Sequence, residues 1–352
     1  HHRPDHRLTK PEEKPISIPG GGHPPHPGPS EKSSNPIQRS APGAERTTGG
    51  LILTSSRLRP RRSVLYMPGS NARALEKARS LPADALILDL EDAVSPDQKG
   101  LARDQVAAAV RAGGFGHREV LVRVNGLATS WGRADLEAVA TSGADGFLLP
   151  KVERASEVIE AEAILRGAEA PEDLALWCMI ETPFGVLRAA EIGGASRSLR
   201  GFVLGTSDLA KDLRCLHTPS REPLLTSLSL TLLAARAYGL VALDGVYLDL
   251  NDEAGFAASC RQGRELGFDG KTLIHPKQVD AANAAFAPSE AELALARRIT
   301  EAHAAATAEG KGVVLVDGRL VENLHVATAL EIIALADAIS AQGAGWPGLA
   351  QG

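Results

Sequence analysis

Two carboxylates stand where short apolar runs end. Glu181 closes the run 176–181 and precedes Thr182-Pro183. The residue before a proline is held extended, so Glu181 falls at the end of a strand. Asp208 comes 27 residues later, in Gly205-Thr206-Ser207-Asp208. Carboxylates from adjacent strand ends offer the hard oxygen ligands that Mg²⁺ takes while it keeps positions for water and substrate. A second reading of Asp208, as the N-cap of a helix beginning Leu209-Ala210-Lys211, stays open. Asp89 and Glu91 form a pair two residues apart, and so do Arg123 and Asn125. Each pair projects from one strand face, with Leu88/Leu90 and Val122/Val124 on the other. Arg123, Asn125, Thr206 and Ser207 are the candidate substrate-binding groups, and Arg123, Asp89 and Glu91 the candidates for catalysis.

These residues need a scaffold that brings strand ends together. From Ser63 onward, β-rich runs at 63–67, 85–90, 120–124, 146–149, 176–181, 201–205, 241–247 and 270–274 alternate with helix-like segments. Alternation of this kind predicts a parallel sheet, and each interval is long enough for a strand, a crossover helix and two loops. Eight such units add up to the ~250 residues of a TIM (β/α)8 barrel, an α/β fold whose chemistry gathers at the C-terminal ends of its strands. The polar residues agree. The second run closes with Asp89 and Glu91, the third with Arg123 and Asn125, the fourth with Lys151 and Glu153, the fifth with Glu181, and the sixth with Thr206 and Asp208.

The chain of 352 residues, 43% hydrophobic and 23% charged, is large enough to bury such a core. Its net charge of −5 is uneven: residues 1–62 carry 11 Lys and Arg against 5 Asp and Glu, and the remainder is acidic. An acidic body is a poor partner for nucleic acid, which demands a positive stripe. The longest uncharged apolar-leaning run, 223–235, is 13 residues, short of the ~20 that a membrane span needs, so no membrane partner is expected. Cys178, Cys215 and Cys260 have no metal-site spacing and fit a reducing, cytoplasmic setting. The first 60 residues hold 11 of the 22 prolines and little apolar periodicity, which predicts a disordered tail over 1–59. The barrel is expected at 60–282, a C-terminal extension at 283–342 and a second tail at 343–352. In the extension, Ser289 with Glu292 reads as a capping box opening a helix over 289–309. Asp317-Gly318 reads as a hairpin turn, and a helix follows over about 324–339. The extension is expected to cover the barrel mouth or a neighbouring subunit.

Two motifs mislead. Gly270-Lys271-Thr272 resembles the end of a phosphate loop, but Glu265 stands where the loop's first glycine belongs. Asp249-Leu250-Asn251-Asp252 resembles a calcium loop, but its glycine, Gly255, comes one position late.

The ordered set Arg62-Ser63-Val64-Leu65-Tyr66-Met67-Pro68-Gly69-Ser70, Leu88-Asp89-Leu90-Glu91-Asp92-Ala93-Val94, Arg123-Val124-Asn125-Gly126, Leu149-Pro150-Lys151-Val152-Glu153, Ile180-Glu181-Thr182-Pro183, Gly205-Thr206-Ser207-Asp208-Leu209 and Gly270-Lys271-Thr272-Leu273-Ile274-His275-Pro276-Lys277-Gln278 resembles the citrate lyase β-subunit-like and malyl-CoA lyase family of the HpcH/HpaI aldolase superfamily. The resemblance runs from about Arg62 to Ile339. It implies a TIM barrel, trimeric or hexameric, that uses Mg²⁺ to cleave or form a carbon–carbon bond in a 3-hydroxyacyl-CoA thioester such as malyl-, citramalyl- or citryl-CoA, giving a 2-oxo acid and an acyl-CoA. By that resemblance Glu181 and Asp208 hold the metal, Arg123 binds the carboxylate of the 2-oxo acid, and Lys77, Lys99 and Arg103 are candidates for the CoA nucleotide. The carbon acid/base, commonly an Asp in the extension, falls here on Glu322, one methylene longer. That departure opens a second activity, hydrolysis of the thioester at the same metal site. A CoA-independent pyruvate-class aldolase is the third.

Overall fold

The structure, a computed structural model, describes residues 59–310 and 313–343. These belong to one unit of the chain, 44–352. Of the expected tails, 1–59 and 343–352, all but Arg59 and Gly343 lie outside the described residues. Arg59 already bonds to the body, donating to Asp145 Oδ1 at 3.0 Å and to the carbonyl of His117 at 3.1 Å.

Eight strands, β1 (Ser63–Pro68), β2 (Ala85–Asp89), β3 (Glu119–Arg123), β4 (Gly146–Leu149), β5 (Leu176–Ile180), β6 (Leu199–Leu204), β7 (Val241–Asp244) and β8 (Gly270–Leu273), form a closed parallel barrel in sequence order. β8 pairs with β1 to close it. Each expected run is a strand, and bounds differ by a residue or two, except that β7 stops at Asp244 instead of 247.

Period-two alternation divides the strand residues into two cores. Val64, Ala85, Ile87, Leu121, Leu148, Trp177, Met179, Val203 and Leu243 fill the barrel interior. Leu65, Leu86, Leu88, Val122, Phe147, Cys178, Ile180 and Phe202 join the outer core with the helices. Trp177 is the largest fully buried side chain, and glycine makes room for it: a Cβ on Gly201 would lie 2.3 Å from its ring. Below it the barrel is plugged by Arg61, whose guanidinium lies 5.3 Å from the Trp177 ring centroid and pairs with Glu119. The same alternation carries Tyr66, Asp89, Arg123 and Glu181 to the interior side at the C-terminal rim, and Asp89 is the direct register partner of both Pro68 and Arg123.

The misleading motifs have structural roles. Lys271 is fully buried in an ion triad, its Nζ 2.8 Å from Asp244 Oδ2, while Arg221 Nη1 sits 2.7 Å from Asp244 Oδ1. Asp252 caps the helix Glu253–Leu266 by accepting from the Gly255 N–H at 2.9 Å.

The helix Val279–Phe286 packs on β1 and β8 as the barrel's eighth outer helix, so the barrel continues past 282 until Ala287-Pro288 stops it. The expected capping box is present. Ser289 Oγ accepts from the Glu292 N–H at 3.2 Å, and Glu292 Oε2 accepts from the Ser289 N–H at 2.7 Å. Its helix, Glu290–Ala308, leads to a hairpin of β9 (Val314–Val316) and β10 (Arg319–Val321) turning at Asp317 (φ 49°) and Gly318 (φ 75°), both left-handed as a type I′ turn requires. The last helix, Asn323–Gly343, packs along Glu290–Ala308, and Arg62 donates to Gln342 near its end at 3.3 Å. By length and composition alone, Asn323–Gln342 is apolar enough to cross a membrane, and little of it is buried. Glu331 and Asp337 interrupt this segment, so it is not an uncharged run in the sequence.

Candidate functional site

The C-terminal rim of the barrel gathers five carboxylates (Asp89, Glu91, Asp92, Glu181, Asp208) around two cations, Arg123 and Lys151. At its base Arg123 grips Asp89 with two parallel bonds, Nε to Oδ1 at 2.7 Å and Nη2 to Oδ2 at 2.6 Å. Its Nη1 reaches Glu91 Oε2 at 3.0 Å and Asp92 Oδ2 at 3.6 Å, and its guanidinium stacks 4.8 Å over the Tyr66 ring. Burial lowers the pKa of Arg123, but Tyr66, Asp89 and Glu91 outweigh it and hold the pKa well above the ordinary value. The two-bond edge of Arg123 is thus occupied by Asp89, and Nη1 lies among Glu91, Asp92 and the Met179 Sδ at 3.5 Å.

Asp89 and Glu91 separate into different roles. Asp89 is fully buried and saturated: besides Arg123 it accepts from the backbone N–H groups of Glu91 at 2.9 Å and Ala93 at 3.1 Å. It locks the turn. Glu91 is buried to 8% exposure, its Oε1 accepts from Lys151 at 2.5 Å, and its Oε2, though beside Arg123, accepts no hydrogen bond. Burial pushes its pKa upward, opposed by Arg123 and Lys151.

Glu181 follows β5 and is 2% exposed. Its Oε1 accepts from the backbone N–H of Lys151 at 2.8 Å. Burial raises its pKa to about 7, with the Lys151 charge opposing. Such a carboxylate favours an added cation as partner. Gly205 makes room for it, since a Cβ there would stand 2.2 Å from Glu181 Oε2 and 2.4 Å from its Cβ. Gly205→Ala is therefore expected to fold, losing ~1–3 kcal/mol to overpacking, and to weaken divalent-cation binding at least tenfold. Calorimetric titration of the metal-free protein checks it.

Asp208 is not the N-cap. That position belongs to Gly205, and Asp208 is the third residue of the helix Thr206–Leu213, its side chain 32% exposed and its Oδ2 3.5 Å from Lys151 Nζ. Among the described residues no three His, Cys, Asp or Glu side chains converge as a ready metal cage. Two carboxylates with open positions nevertheless fit Mg²⁺, which is bound by one or two carboxylates and keeps waters or substrate oxygens for the rest.

The remaining expectations divide. Lys99 and Arg103 are not free cations. Lys99 is buried, donating to the carbonyls of Leu90 at 2.8 Å and Glu91 at 2.7 Å, with its Nζ 5.6 Å from the Trp131 ring centroid. Arg103 Nε pairs with Asp135 at 2.7 Å. Asn125 turns the same way: its Nδ2 donates to the Leu90 carbonyl at 2.9 Å and to Asp135 at 2.6 Å. Lys99 and Asn125 grip the Leu90–Glu91 turn directly, and Arg103 holds the Asp135 on which Asn125 rests. Lys99→Met should lower kcat while the KM for a CoA thioester stays within about twofold, because an interaction that positions Glu91 is lost and a binding one is not; steady-state kinetics decides it. Lys77 is exposed in the last turn of its helix, Ala72–Ala78. Thr206 is buried, its Oγ1 packed where a Gly245 Cβ would lie at 2.4 Å, and Ser207 is half-buried beside Asp208. Glu322 is exposed, and its backbone N–H and C=O bond to His325.

Three site residues had no assigned role in the sequence. Tyr66, Asp92 and Lys151 all lie in the ordered motifs, and the charge of Lys151 at a strand exit was the available signal.

A family model described as HpcH/HpaI aldolase/citrate lyase matches residues 62–276, and the chain belongs to that family. It is 52% identical over 282 residues to a (3S)-malyl-CoA thioesterase of Cereibacter sphaeroides, covering 80% of this chain and 96% of that protein. It is 41% identical over 290 residues to citrate lyase subunit beta of Escherichia coli, covering 81% and 96%. The crystal structure of CitE from Mycobacterium tuberculosis in complex with magnesium, acetoacetate and coenzyme A superposes with a TM-score of 0.64 at 31% identity, covering 80% of this chain and 99% of that one.

Proposed function

We propose that the protein is a Mg²⁺-dependent hydrolase of a malyl-CoA-type thioester, releasing the free hydroxy acid and CoA. The observation that carries this reading is the placement of Glu91. Carbon–carbon cleavage needs an acid on the side of the thioester enolate away from the metal. Glu91 is the buried rim carboxylate with an oxygen, Oε2, that accepts no hydrogen bond, and its other oxygen meets the same Lys151 that bonds Glu181 through its backbone and lies 3.5 Å from Asp208, the two residues that would hold the metal. Glu322, expected to serve as the carbon acid, is exposed between the hairpin and the last helix of the extension. The 52% identity to a malyl-CoA thioesterase supports the same order of preference.

Held by Glu181 and Asp208, Mg²⁺ would supply Lewis-acid charge for the oxygens of the hydroxy acid. Arg123 Nη1 presents positive charge to a substrate carboxylate. Glu91 Oε2 takes a proton from water as the water oxygen bonds to the thioester carbon; the carbon–sulfur bond breaks and the proton passes to the CoA thiolate. Asp89, Lys99 and Asn125 keep Glu91 in place.

Free thiol appearing from malyl-CoA with Mg²⁺, and abolished by chelation, is the expected result; thiol release indifferent to chelation would refute the metal assignment. Cleavage to a 2-oxo acid and an acyl-CoA is the second reading, favoured by the 41% identity to a citrate lyase β subunit. A cytoplasmic homotrimer or hexamer accords with the free cysteines and with the exposed Leu324 and Leu330 of the last helix.

A further inference from the structure

Lys151 adopts a backbone conformation that lysine rarely takes. Its φ of 51° lies in the left-handed region, at the turn directly after β4. Strained residues persist where the surroundings over-determine them. Here the left-handed turn aims the N–H at Glu181 Oε1, 2.8 Å away, and the Nζ at Glu91 Oε1, 2.5 Å away. The same Nζ lies 3.7 Å from Asp92 Oδ1 and 3.5 Å from Asp208 Oδ2, and the side chain is 44% exposed, with room to swing. One residue thus positions one expected metal ligand through its backbone and neutralises the other through its side chain.

We propose that Lys151 is the resident counter-cation of this carboxylate cluster, holding Asp208 in place before Mg²⁺ arrives and releasing it when the metal binds, so that its ammonium sets the affinity of the site for divalent cations. The inference rests on the metal-binding reading above. The charge count favours it: five carboxylates with Arg123 alone would repel one another, and Arg123 is already engaged by Asp89. The ammonium relieves that repulsion. A divalent ion bound by Glu181 and Asp208 would compete with it for Asp208, while Glu91, already bonded to the Nζ at 2.5 Å, would retain it.

The test is binding without substrate. Free Mn²⁺ is followed by electron paramagnetic resonance as it titrates metal-free wild type, Lys151→Arg, Lys151→Gln and Lys151→Asn, with Mg²⁺ affinity obtained by competition. Asn tolerates a left-handed backbone, so Lys151→Asn carries the comparison if Lys151→Gln misfolds. Lys151→Gln and Lys151→Asn should bind Mn²⁺ roughly tenfold more tightly than wild type, because a positive charge a few ångströms from the ion is removed, and Lys151→Arg should match wild type. Adding Asp208→Asn to Lys151→Gln should erase the gain. Wild-type or weaker affinity in Lys151→Gln and Lys151→Asn overturns the inference while leaving the metal site intact; absence of Mn²⁺ binding in every protein overturns both.

Discussion

Glu181→Gln and Asp208→Asn are each expected to abolish Mg²⁺-dependent turnover while the barrel stays folded. Each removes one of only two anionic oxygen donors assigned to the metal, and the remaining positions are left to water and substrate. Losing a charged ligand withdraws several kcal/mol of transition-state stabilisation, and each ~1.4 kcal/mol is tenfold in rate, so a fall of about 10³-fold or more follows. The stability effects differ in sign. Glu181 is buried with its pKa raised to about 7, so an uncharged amide there relieves a desolvated carboxylate, and metal-free Glu181→Gln should melt no lower than wild type. Asp208 is partly exposed at a helix N-terminus, where a negative charge contributes a few tenths to ~1 kcal/mol. Turnover assays beside thermal melts separate the two properties. A variant with wild-type turnover and Mg²⁺ affinity removes that residue from the site.

The second large effect lies at the base of the rim. Arg123→Met should destabilise the fold by about 3–5 kcal/mol, the range for breaking a buried ion pair on one side only. Asp89 would be left fully buried with two backbone donors and no cation, and Glu91 would lose the guanidinium at 3.0 Å. The double substitution Arg123→Met with Asp89→Leu should recover much of this loss, since no lone charge then remains. Urea unfolding of the single and double variants gives the coupling directly. A loss under ~1 kcal/mol for Arg123→Met, the worth of an exposed pair, would show that water already screens this network.

The barrel was legible because period-two alternation and the recurrence of strand runs are local properties, and the interior core and the rim residues Asp89, Arg123 and Glu181 follow from the same parity. What each polar residue touches was not local. Asp89 and Glu91, two residues apart, look equivalent in the sequence, yet the register that sets Asp89 opposite Arg123 saturates it, while Glu91, past the end of β2, keeps Oε2 without a hydrogen bond. Lys99 and Arg103 carry the right charge for a nucleotide, but their carbonyl and carboxylate partners come from segments 8 to 32 residues away. Lys151 offered only its charge at a strand exit; its left-handed backbone and its bond to Glu181 depend on how β4 and β5 end side by side. For Glu322, spacing and resemblance placed a carboxylate in the extension, and the hairpin and helix formed as expected around it, but nothing local tells whether such a carboxylate meets the mouth.

The central claim, hydrolysis with Glu91 as the base beside the residues that would hold the metal, is tested most directly by the products formed from (3S)-malyl-CoA in the presence of Mg²⁺. The account predicts one free thiol per molecule consumed together with intact malate, no glyoxylate, and a fall of about 10²–10⁴-fold in this rate for Glu91→Gln. Glyoxylate and acetyl-CoA appearing in equal amounts, without free thiol and with Glu322→Gln as the damaging substitution, would contradict it.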